Sequence, residues 1–253
     1  FKDHNPTRSV KILNKIADFA EIKNVDTVIE VGPGEGLLTQ ILLERASKVI
    51  VVEKDESLAK KLEEKFEKEI KYKKLEVVTQ DVLNYKPAIL NYVVIGNIPY
   101  YITGALFKKF LEETANQPKS ITFVIQKEVA DRIMGSHFAK ASRDKSRGKE
   151  SILSISVKAY GEPKYGGIIR AGSFYPKPNV DSAIISIRDI STEKFSEGSE
   201  KKFFEILKLG FAHKRKLLIK NLGEIAGERD LKEIFKKCGI GEKARAEDLK
   251  VED

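Results

Sequence analysis

Short runs of apolar and β-branched residues recur along most of the sequence. They are TVIEVG, KVIVVEKD, LEVVTQD, YVVIGN, ITFVIQ, ILSISVKAY and AIISIRDI, at residues 27–32, 48–55, 75–81, 92–97, 121–126, 152–160 and 183–190. Stretches with helical periodicity lie between them. This alternation predicts an α/β fold in which a mostly parallel, seven-stranded sheet is covered by helices on both faces.

The helical stretches carry signals at their ends. DESLAKKLEEKFEKEI begins on Asp55, a residue that caps helices well, and its apolar residues recur every three to four positions beside a charged face. TGALFKKFLEET has the same periodicity. The last two predicted strands have no helix between them and are joined by GSFYPKPNVDS, so we expect a hairpin that closes one edge of the sheet.

The character of the sequence changes near residue 190. The segment STEKFSEGSEKK, at 191–202, is polar and is typical of a linker, and the two stretches beyond it, FFEILKLGFAHKRKLLIKNLGEI and LKEIFKKCGI, have only helical periodicity. We therefore predict a sheet domain at 1–190 and a small, all-helical domain at 191–253.

A glycine-rich turn, EVGPGEG, follows the first predicted strand. Gly32 and Gly34 allow a tight turn and a close approach of the backbone to a ligand. The spacing is not the G-x-G-x-x-G of dinucleotide sites, which argues against NAD and against phosphate. Glu30, at the strand end, is either a solvated carboxylate or the neighbour of a cationic ligand.

Two further carboxylates follow the next two strands. Glu53 is placed to accept hydrogen bonds from both hydroxyls of a ribose, and Asp81 to accept one from an adenine amino group. Taken alone, each is more often a helix cap or a surface group. Because the carboxyl ends of parallel strands share one edge of a sheet, the set predicts a site for a positively charged adenosine, which fits S-adenosylmethionine.

The fourth strand ends in GNIPYY. The side chain of Asn97 and the carbonyl of Pro99 are able to accept two hydrogen bonds from one exocyclic amine, while Tyr100 offers a ring for stacking on a base. Such chemistry needs no general base, since the amine proton becomes acidic as the new N–C bond forms, and catalysis is mainly orientation. The alternative is a turn whose tyrosines pack in the core.

The composition bears on membrane segments, disulfides, metal sites and binding partners. No apolar run approaches the ~20 residues that span a bilayer, so we expect a soluble globular protein without a membrane segment. Cys238 is the only cysteine, which excludes an internal disulfide and favours the cytoplasm, and the histidines His4, His137 and His213 lack metal-ligand spacing. The net charge of +8 favours a polyanionic partner, although a well-solvated basic surface has the same composition.

Together the motifs resemble the ribosomal RNA adenine dimethyltransferases of the KsgA type. They are EVGPGEG, GNIPYY, QKEVADRI, SFYPKPNVDSA and GFAHKRKLLIKNL, in that order along nearly the whole chain. The resemblance implies a Rossmann-like methyltransferase fold with a helical C-terminal domain. It also implies a monomeric enzyme that uses S-adenosylmethionine to dimethylate N6 of two adjacent adenosines in the 3′-terminal hairpin of small-subunit rRNA, during assembly of the small ribosomal subunit.

The resemblance assigns roles by position. It implies a cofactor site formed by Phe1, Glu30, Gly32, Gly34, Glu53, Asp81 and Asn97, and an amine-binding motif of Asn97, Pro99 and Tyr100. It implies that Phe174 closes the other face of the target base, although an aromatic in a proline-rich loop often only packs that loop. The chain begins at Phe1, which stands where the family has a leucine, so we expect cofactor-contacting residues to precede it.

Two basic segments and two rival functions complete the predictions. We expect two segments, HFAKASRDKSRGKES and the helix around HKRKLLIK, to contact the RNA backbone, or else to be solvated surface.

One rival function is that of an Erm-like methyltransferase of large-subunit rRNA, against which QKEVADRI and VDSA favour the KsgA type. The other is a non-catalytic ribosome-assembly or mitochondrial transcription factor of the same fold, against which the intact Asn97, Pro99 and Tyr100 argue.

Overall fold

The computed structural model describes residues 6–135, 149–196 and 198–253. Of these, the residues up to Ala130 together with Gly161–Ile190 form one compact unit. Those of Asp131–Tyr160 and Ser191–Asp253 form a second. The division at residue 190 stays a prediction for the domains, and the described part of Asp131–Tyr160 groups with the second unit.

The first unit contains the predicted sheet. Its strands are β1 Thr27–Val31, β2 Lys48–Glu53, β3 Leu75–Thr79, β4 Tyr92–Asn97, β5 Ser120–Gln126, β6 Glu162–Ile169 and β7 Ser182–Arg188. Their order across the sheet is β3-β2-β1-β4-β5-β7-β6. The first five strands are parallel, and β7 runs antiparallel to both β5 and β6. The mostly parallel, seven-stranded sheet is confirmed, and a hairpin does close one edge of it, but β6 takes the place of the strand predicted at 152–160.

Helices precede or connect these strands. They are α1 Pro6–Phe19, α2 Leu37–Arg45, α3 Glu56–Lys65, α4 Glu67–Lys71, α5 Thr103–Lys108, which continues as a π-helical turn over Lys109–Glu113, and α6 Lys127–Met134. The predicted cap of α3 is confirmed, because the Asp55 carboxylate accepts hydrogen bonds from the backbone N–H groups of Ser57 and Leu58. No helix of the described ranges is long and apolar enough to cross a membrane.

The central strands are buried on both faces, which explains their uninterrupted apolar runs. In β4 every residue from Tyr92 to Gly96 is buried, and β1 and β2 are buried after their first residues. β2 lies on one side of β1 and β4 lies on the other. The carboxyl end of β1 is therefore the point of the sheet at which the strand order reverses, where open α/β sheets bind their ligands.

The prediction of a strand at 152–160 is wrong. Ile152–Tyr160 is a helix, α7, and the strand next in sequence is β6. Alternation of Leu153, Ile155 and Val157 with two serines and a lysine imitates a strand. Two serines stabilise the helix instead. Ser151 Oγ accepts a hydrogen bond from Ser154 N–H at 3.1 Å, and Ser154 Oγ accepts one from Ser151 N–H at 2.7 Å. These two hydrogen bonds cap the first turn of the helix.

β6 escaped prediction because its sequence, EPKYGGII, contains residues that disfavour strands. Pro163 lacks an N–H donor and glycines weaken a strand interior, but both are tolerated at a sheet edge or a bulge. β6 is the edge strand, and its register against β7 shifts between Tyr165 and Gly167. Gly167, at this bulge, has a positive φ of 95°, a backbone conformation that glycine adopts readily.

The described part of the second unit contains helices and no strands. Besides α7 they are α8 Ser199–Gly210, α9 Leu218–Asn221 and α10 Glu228–Lys237, with short 3₁₀ segments at Leu222–Glu224 and Ala246–Asp248. A small apolar core joins them, made of Leu218, Ile219, Leu222, Leu231, Phe235 and Ala246. The all-helical C-terminal region is confirmed for these residues.

The prediction that HKRKLLIK lies in a helix is wrong for its basic half. α8 ends at Gly210 and α9 begins at Leu218, so His213 to Lys216 lie in the connection between them, with exposed side chains. The buried Asn221 amide holds this connection, donating to the carbonyls of Gly210 at 2.5 Å and His213 at 3.2 Å. Those hydrogen bonds replace the helical ones that the periodicity predicts.

The glycine turn supplies a test of stability. Gly34 and Gly36 both have positive φ, but an added Cβ meets nothing within 4 Å at Gly34 and would lie 2.6 Å from Leu62 Cδ2 at Gly36. We expect Gly34→Ala to cost about 1–2 kcal/mol of unfolding free energy through backbone strain. Gly36→Ala adds overlap with α3, which costs about 1–3 kcal/mol more. Urea denaturation of both variants measures the difference, and equal losses would contradict the close packing of α3 on the turn.

Candidate active site

A cavity of about 400 Å³ opens at the carboxyl ends of β1 and β4. Its lining consists of Leu13, Glu30, Gly32, Pro33, Gly34, Glu35, Leu37, Leu38, Asn97, Tyr175 and Pro176. Four residues of the predicted site, Glu30, Gly32, Gly34 and Asn97, are thus brought together from two strands that are far apart in sequence. Parallel pairing of Val31 with Gly96 aligns the two strand ends.

Glu53 fixes the glycine turn to the neighbouring strand. The backbone N–H of Gly34 donates to Glu53 Oε2 at 3.2 Å, and the N–H groups of Lys54 and Asp55 donate to Oε1 at 2.9 and 3.1 Å. Glu53 is 8% exposed and is not among the residues that line the cavity. A carboxylate has about four acceptor positions, so this one still has room for a hydroxyl donor.

Glu30 is a buried acid, not the solvated carboxylate that the sequence left open. Its side chain is 1% exposed, and Thr39 Oγ1 of α2 donates to its Oε2 at 2.6 Å. Burial raises the pKa of Glu30 to about 8; the negative charge of Glu53 adds to the rise and the hydrogen bond from Thr39 opposes it. Glu30 is therefore largely protonated at neutral pH, and a cation bound nearby would favour its ionised form.

Asp81 lies two residues beyond the end of β3 and outside the cavity lining. Its Oδ2 pairs with Lys54 Nζ at 2.9 Å, and its Oδ1 accepts from the N–H of Leu83 at 3.0 Å. These two hydrogen bonds, that from Lys54 first, lower the pKa of Asp81. Lys54, which follows Glu53, thus keeps Asp81 ionised, and the ion pair connects the ends of β2 and β3.

The GNIPYY segment forms a fixed turn at the end of β4. Gly96 packs so closely on β1 that an added Cβ would lie 2.8 Å from the carbonyl oxygen of Val31. After the half-buried Asn97, Pro99 has φ −60° and its carbonyl accepts from Ile102 N–H at 3.2 Å. The hydroxyl of Tyr100 forms a hydrogen bond of 2.6 Å with Ser182 Oγ, at the start of β7.

The loop between β6 and β7 carries the predicted Phe174 and, next to it, Tyr175. Asp181 holds it, accepting from Arg170 Nη1 at 2.8 Å and from the N–H of Ala171 at 2.9 Å. Phe174 is half-buried and packs against the apolar core of the sheet unit, while the exposed Tyr175 lines the cavity.

Other contributors escaped the sequence prediction. The cavity also contains Leu13 of α1 and Glu35 of the glycine turn, besides Tyr175. An aromatic next to a proline was the only signal for Tyr175. Of the remaining predictions, Phe1 and residues 137–148 of the basic loop lie outside the described residues. No group of His, Cys, Asp or Glu side chains within the described ranges is arranged to hold a metal ion.

This geometry agrees with the comparison to known families. The family model for ribosomal RNA adenine dimethylases matches residues 5–253. The chain belongs to this family. It is 36% identical to a ribosomal RNA small subunit methyltransferase A of Dehalococcoides mccartyi over 249 residues, which cover 96% of this chain and 81% of the relative. The resemblance that the motifs indicate is confirmed.

Two solved structures are similar over almost the whole chain. A dimethyladenosine transferase from Plasmodium falciparum superposes with a TM-score of 0.78 at 26% identity, covering 98% of this chain and 92% of that one. The 23S rRNA methyltransferase ErmE superposes with a TM-score of 0.75 at 29% identity, covering 96% and 93%. These likenesses confirm the Rossmann-like methyltransferase fold.

The raised pKa of Glu30 predicts a dependence of stability on pH. Between the ordinary value of 4.5 and the folded-state value of about 8, the unfolded chain has lost this proton and the folded chain keeps it. Folding then takes up a proton, so this contribution to the unfolding free energy is complete below pH 4.5 and falls by at most about 1.4 kcal/mol per pH unit above it.

Glu30→Gln is the matched control, because glutamine is neutral at every pH. Urea denaturation of both proteins in steps from pH 5 to pH 8 measures the difference between their unfolding free energies. We expect wild type to lose stability relative to the variant across this window. Parallel pH curves would contradict the buried, protonated state of Glu30.

Proposed function

We propose that this chain transfers methyl groups from S-adenosylmethionine to N6 of two adjacent adenosines in the 3′-terminal hairpin of small-subunit rRNA. The products are N6-dimethyladenosines formed while the small ribosomal subunit assembles. One observation carries the proposal: a single cavity joins the glycine turn after β1 to Asn97 at the end of β4. Membership of the family and the small-subunit relative support it.

The residues around the turn fit S-adenosylmethionine. At Gly32 and Gly34 the space that a Cβ would occupy is open to 4 Å, so a ligand has access to the backbone there. Glu53, fixed by three backbone N–H groups, would accept from the ribose hydroxyls, and Asp81 would accept from the adenine amino group. Glu30 would lie near the positive end of the ligand. When bound, S-adenosylmethionine supplies an electrophilic methyl group.

Asn97 and Pro99 would hold the amine that is methylated. The side-chain oxygen of Asn97 accepts one amine hydrogen, and the carbonyl of Pro99 has a second lone pair beside the one that Ile102 N–H occupies. Tyr100, fixed by Ser182, would stack on the adenine, and Phe174 would approach the other face. The amine proton passes to water after the N–C bond has formed. Rate acceleration would come from orientation, since the strand end and its turn are rigid.

RNA binding would use the basic connection in the helical unit. His213, Lys214, Arg215 and Lys216 are all exposed, and the Asn221 amide fixes the backbone that carries them. The net charge of +8 favours RNA as the partner, because phosphate contacts release counterions. We place the RNA backbone against this connection.

The likeness to ErmE favours a second candidate, methylation of large-subunit rRNA. The identity to the small-subunit relative is greater, 36% against 29%. Retention of Asn97, Pro99 and Tyr100 in a fixed turn argues against a purely non-catalytic assembly or transcription factor.

The deciding experiment is transfer of labelled methyl groups to unmodified small and large ribosomal subunits, followed by nucleoside mass spectrometry. We expect N6-dimethyladenosine in small-subunit rRNA alone. Asn97→Ala should reduce the rate by at least about 100-fold, because the amine loses an orienting partner, and should leave subunit binding nearly unchanged. The control is Asn24→Ala, an exposed asparagine before β1.

Each outcome has a separate meaning. Product confined to large-subunit rRNA would replace the proposal with the Erm-like function. Wild-type turnover by Asn97→Ala would remove this residue from the amine-binding site. Tight subunit binding without any product, in a protein shown to bind S-adenosylmethionine, would establish an assembly role instead.

Cofactor affinity tests Glu53 separately. Glu53→Gln removes the charge and turns one acceptor oxygen into a donor that faces a backbone N–H, so we expect S-adenosylmethionine to bind more weakly by about 1–3 kcal/mol. Calorimetric titration measures the change. Glu76→Gln is the control, since Glu76 is an exposed glutamate on β3 that pairs with Lys48. Equal affinities for all three proteins would exclude Glu53 from the cofactor site.

A further inference from the structure

Tyr101 is 89% exposed, the highest value of any large hydrophobic side chain in the described ranges. It directly follows Tyr100, which is half-buried and hydrogen-bonded to Ser182. The proposed function uses Asn97, Pro99 and Tyr100 and gives Tyr101 no role. A tyrosine left in water at the edge of a binding site is a candidate for contact with the substrate.

The backbone holds Tyr101 in a defined direction. Tyr100–Ile102 is a 3₁₀ turn, closed by the hydrogen bond from Ile102 N–H to Pro99 O and by Thr103 Oγ1, which donates to Tyr100 O at 3.0 Å. Successive side chains on such a turn point about 120° apart, since it has 3.0 residues per turn. Tyr100 is directed at Ser182, whereas Tyr101 points in another direction, into solvent.

The surroundings of the ring are small or polar. Gly104 and Ala105, on the next helix, are exposed and offer little apolar area. Lys54, 77% exposed and paired with Asp81, also lies near Tyr101. An isolated aromatic in polar surroundings does not form the apolar patch of a protein interface. It has the character of a platform for a base, as in single-stranded RNA sites.

Base extrusion creates a need for such a platform. When an enzyme takes one base out of a stack, the neighbouring base loses a stacking partner. Because the side chains of Tyr100 and Tyr101 point about 120° apart on the turn, the two rings are available to two different bases.

We propose that Tyr101 stacks on the unpaired RNA base next to the target adenosine and so positions the strand while its neighbour is methylated. The inference rests on the proposed function, and the ligand is a nucleobase in single-stranded or looped RNA. Tyr101 is a substrate-binding residue in this scheme, and it is not among the residues that line the cavity.

Fluorescence gives a direct test, because the sequence contains no tryptophan. Tyr101→Trp introduces a single indole, and stacking on a base should quench it. The probe is a hairpin RNA with a single adenosine in its loop, compared with the same hairpin made abasic at the two loop nucleotides that flank this adenosine. The control protein is Tyr72→Trp, at a tyrosine that is 76% exposed and follows α4.

The expected result is that the intact hairpin quenches the indole of the Tyr101→Trp protein, that the abasic hairpin quenches it much less, and that neither quenches the Tyr72→Trp protein. Equal quenching of the Tyr101→Trp protein by both hairpins, or no quenching while the hairpin binds, would overturn the inference. These readings do not depend on methyl transfer, so they decide the stacking role even if the proposed reaction fails.

Kinetics with unmodified small subunits give the second test. Tyr101→Ala should raise the KM for subunits about 5- to 150-fold, the range for loss of one base–aromatic stack, and leave the affinity for S-adenosylmethionine unchanged. Tyr101→Phe keeps the ring and should remain near wild type. An unchanged KM for Tyr101→Ala, or an equal defect in Tyr101→Phe, would overturn the inference, whereas wild type without product on either subunit would instead refute the proposed function.

Discussion

The candidate site depends on the parallel pairing of β1 with β2 on one side and β4 on the other. In this register Val31 lies beside both Val52 and Gly96, so the chain leaves all three strands at one edge. The Glu53 carboxylate then accepts the N–H of Gly34, which ties the turn after β1 to the end of β2. Because Gly96 has no side chain, β4 approaches β1 closely enough to bring Asn97 to the same cavity.

The three acids at this edge have different surroundings. Asp81 is kept ionised by Lys54, and Glu53 is held by backbone N–H groups. Glu30 accepts a hydrogen bond from Thr39, has almost no contact with water and is largely protonated at neutral pH. Without a cationic ligand, the Glu30 side chain therefore carries little charge at neutral pH. A cationic ligand would favour ionisation of Glu30, so its binding would be accompanied by proton release.

The sequence predicted the site residues that lie at the ends of strands. It was less informative where hydrogen bonds of side chains decide the local structure. Glu30 and Asn97 were predictable as neighbours because parallel strands align their carboxyl ends. The helix at Ile152–Tyr160 was missed because alternating serines imitate a strand, whereas the capping pair of Ser151 and Ser154 acts through hydrogen bonds that periodicity does not record. Tyr175 was missed because its place at the cavity follows from a loop that Asp181 holds across ten residues.

Methylation of an exocyclic amine places unusual weight on rigidity. No side chain has to remove a proton before the N–C bond forms, so a titratable base beside Asn97 would contribute little, and the angle at which the amine lone pair faces the methyl group decides the rate. The structure provides that rigidity in the backbone: Gly96 packed on β1, the closed turn after Pro99, and Tyr100 anchored to Ser182. Substitutions that loosen this turn would therefore slow the reaction without touching the substrate, since they widen the range of amine orientations.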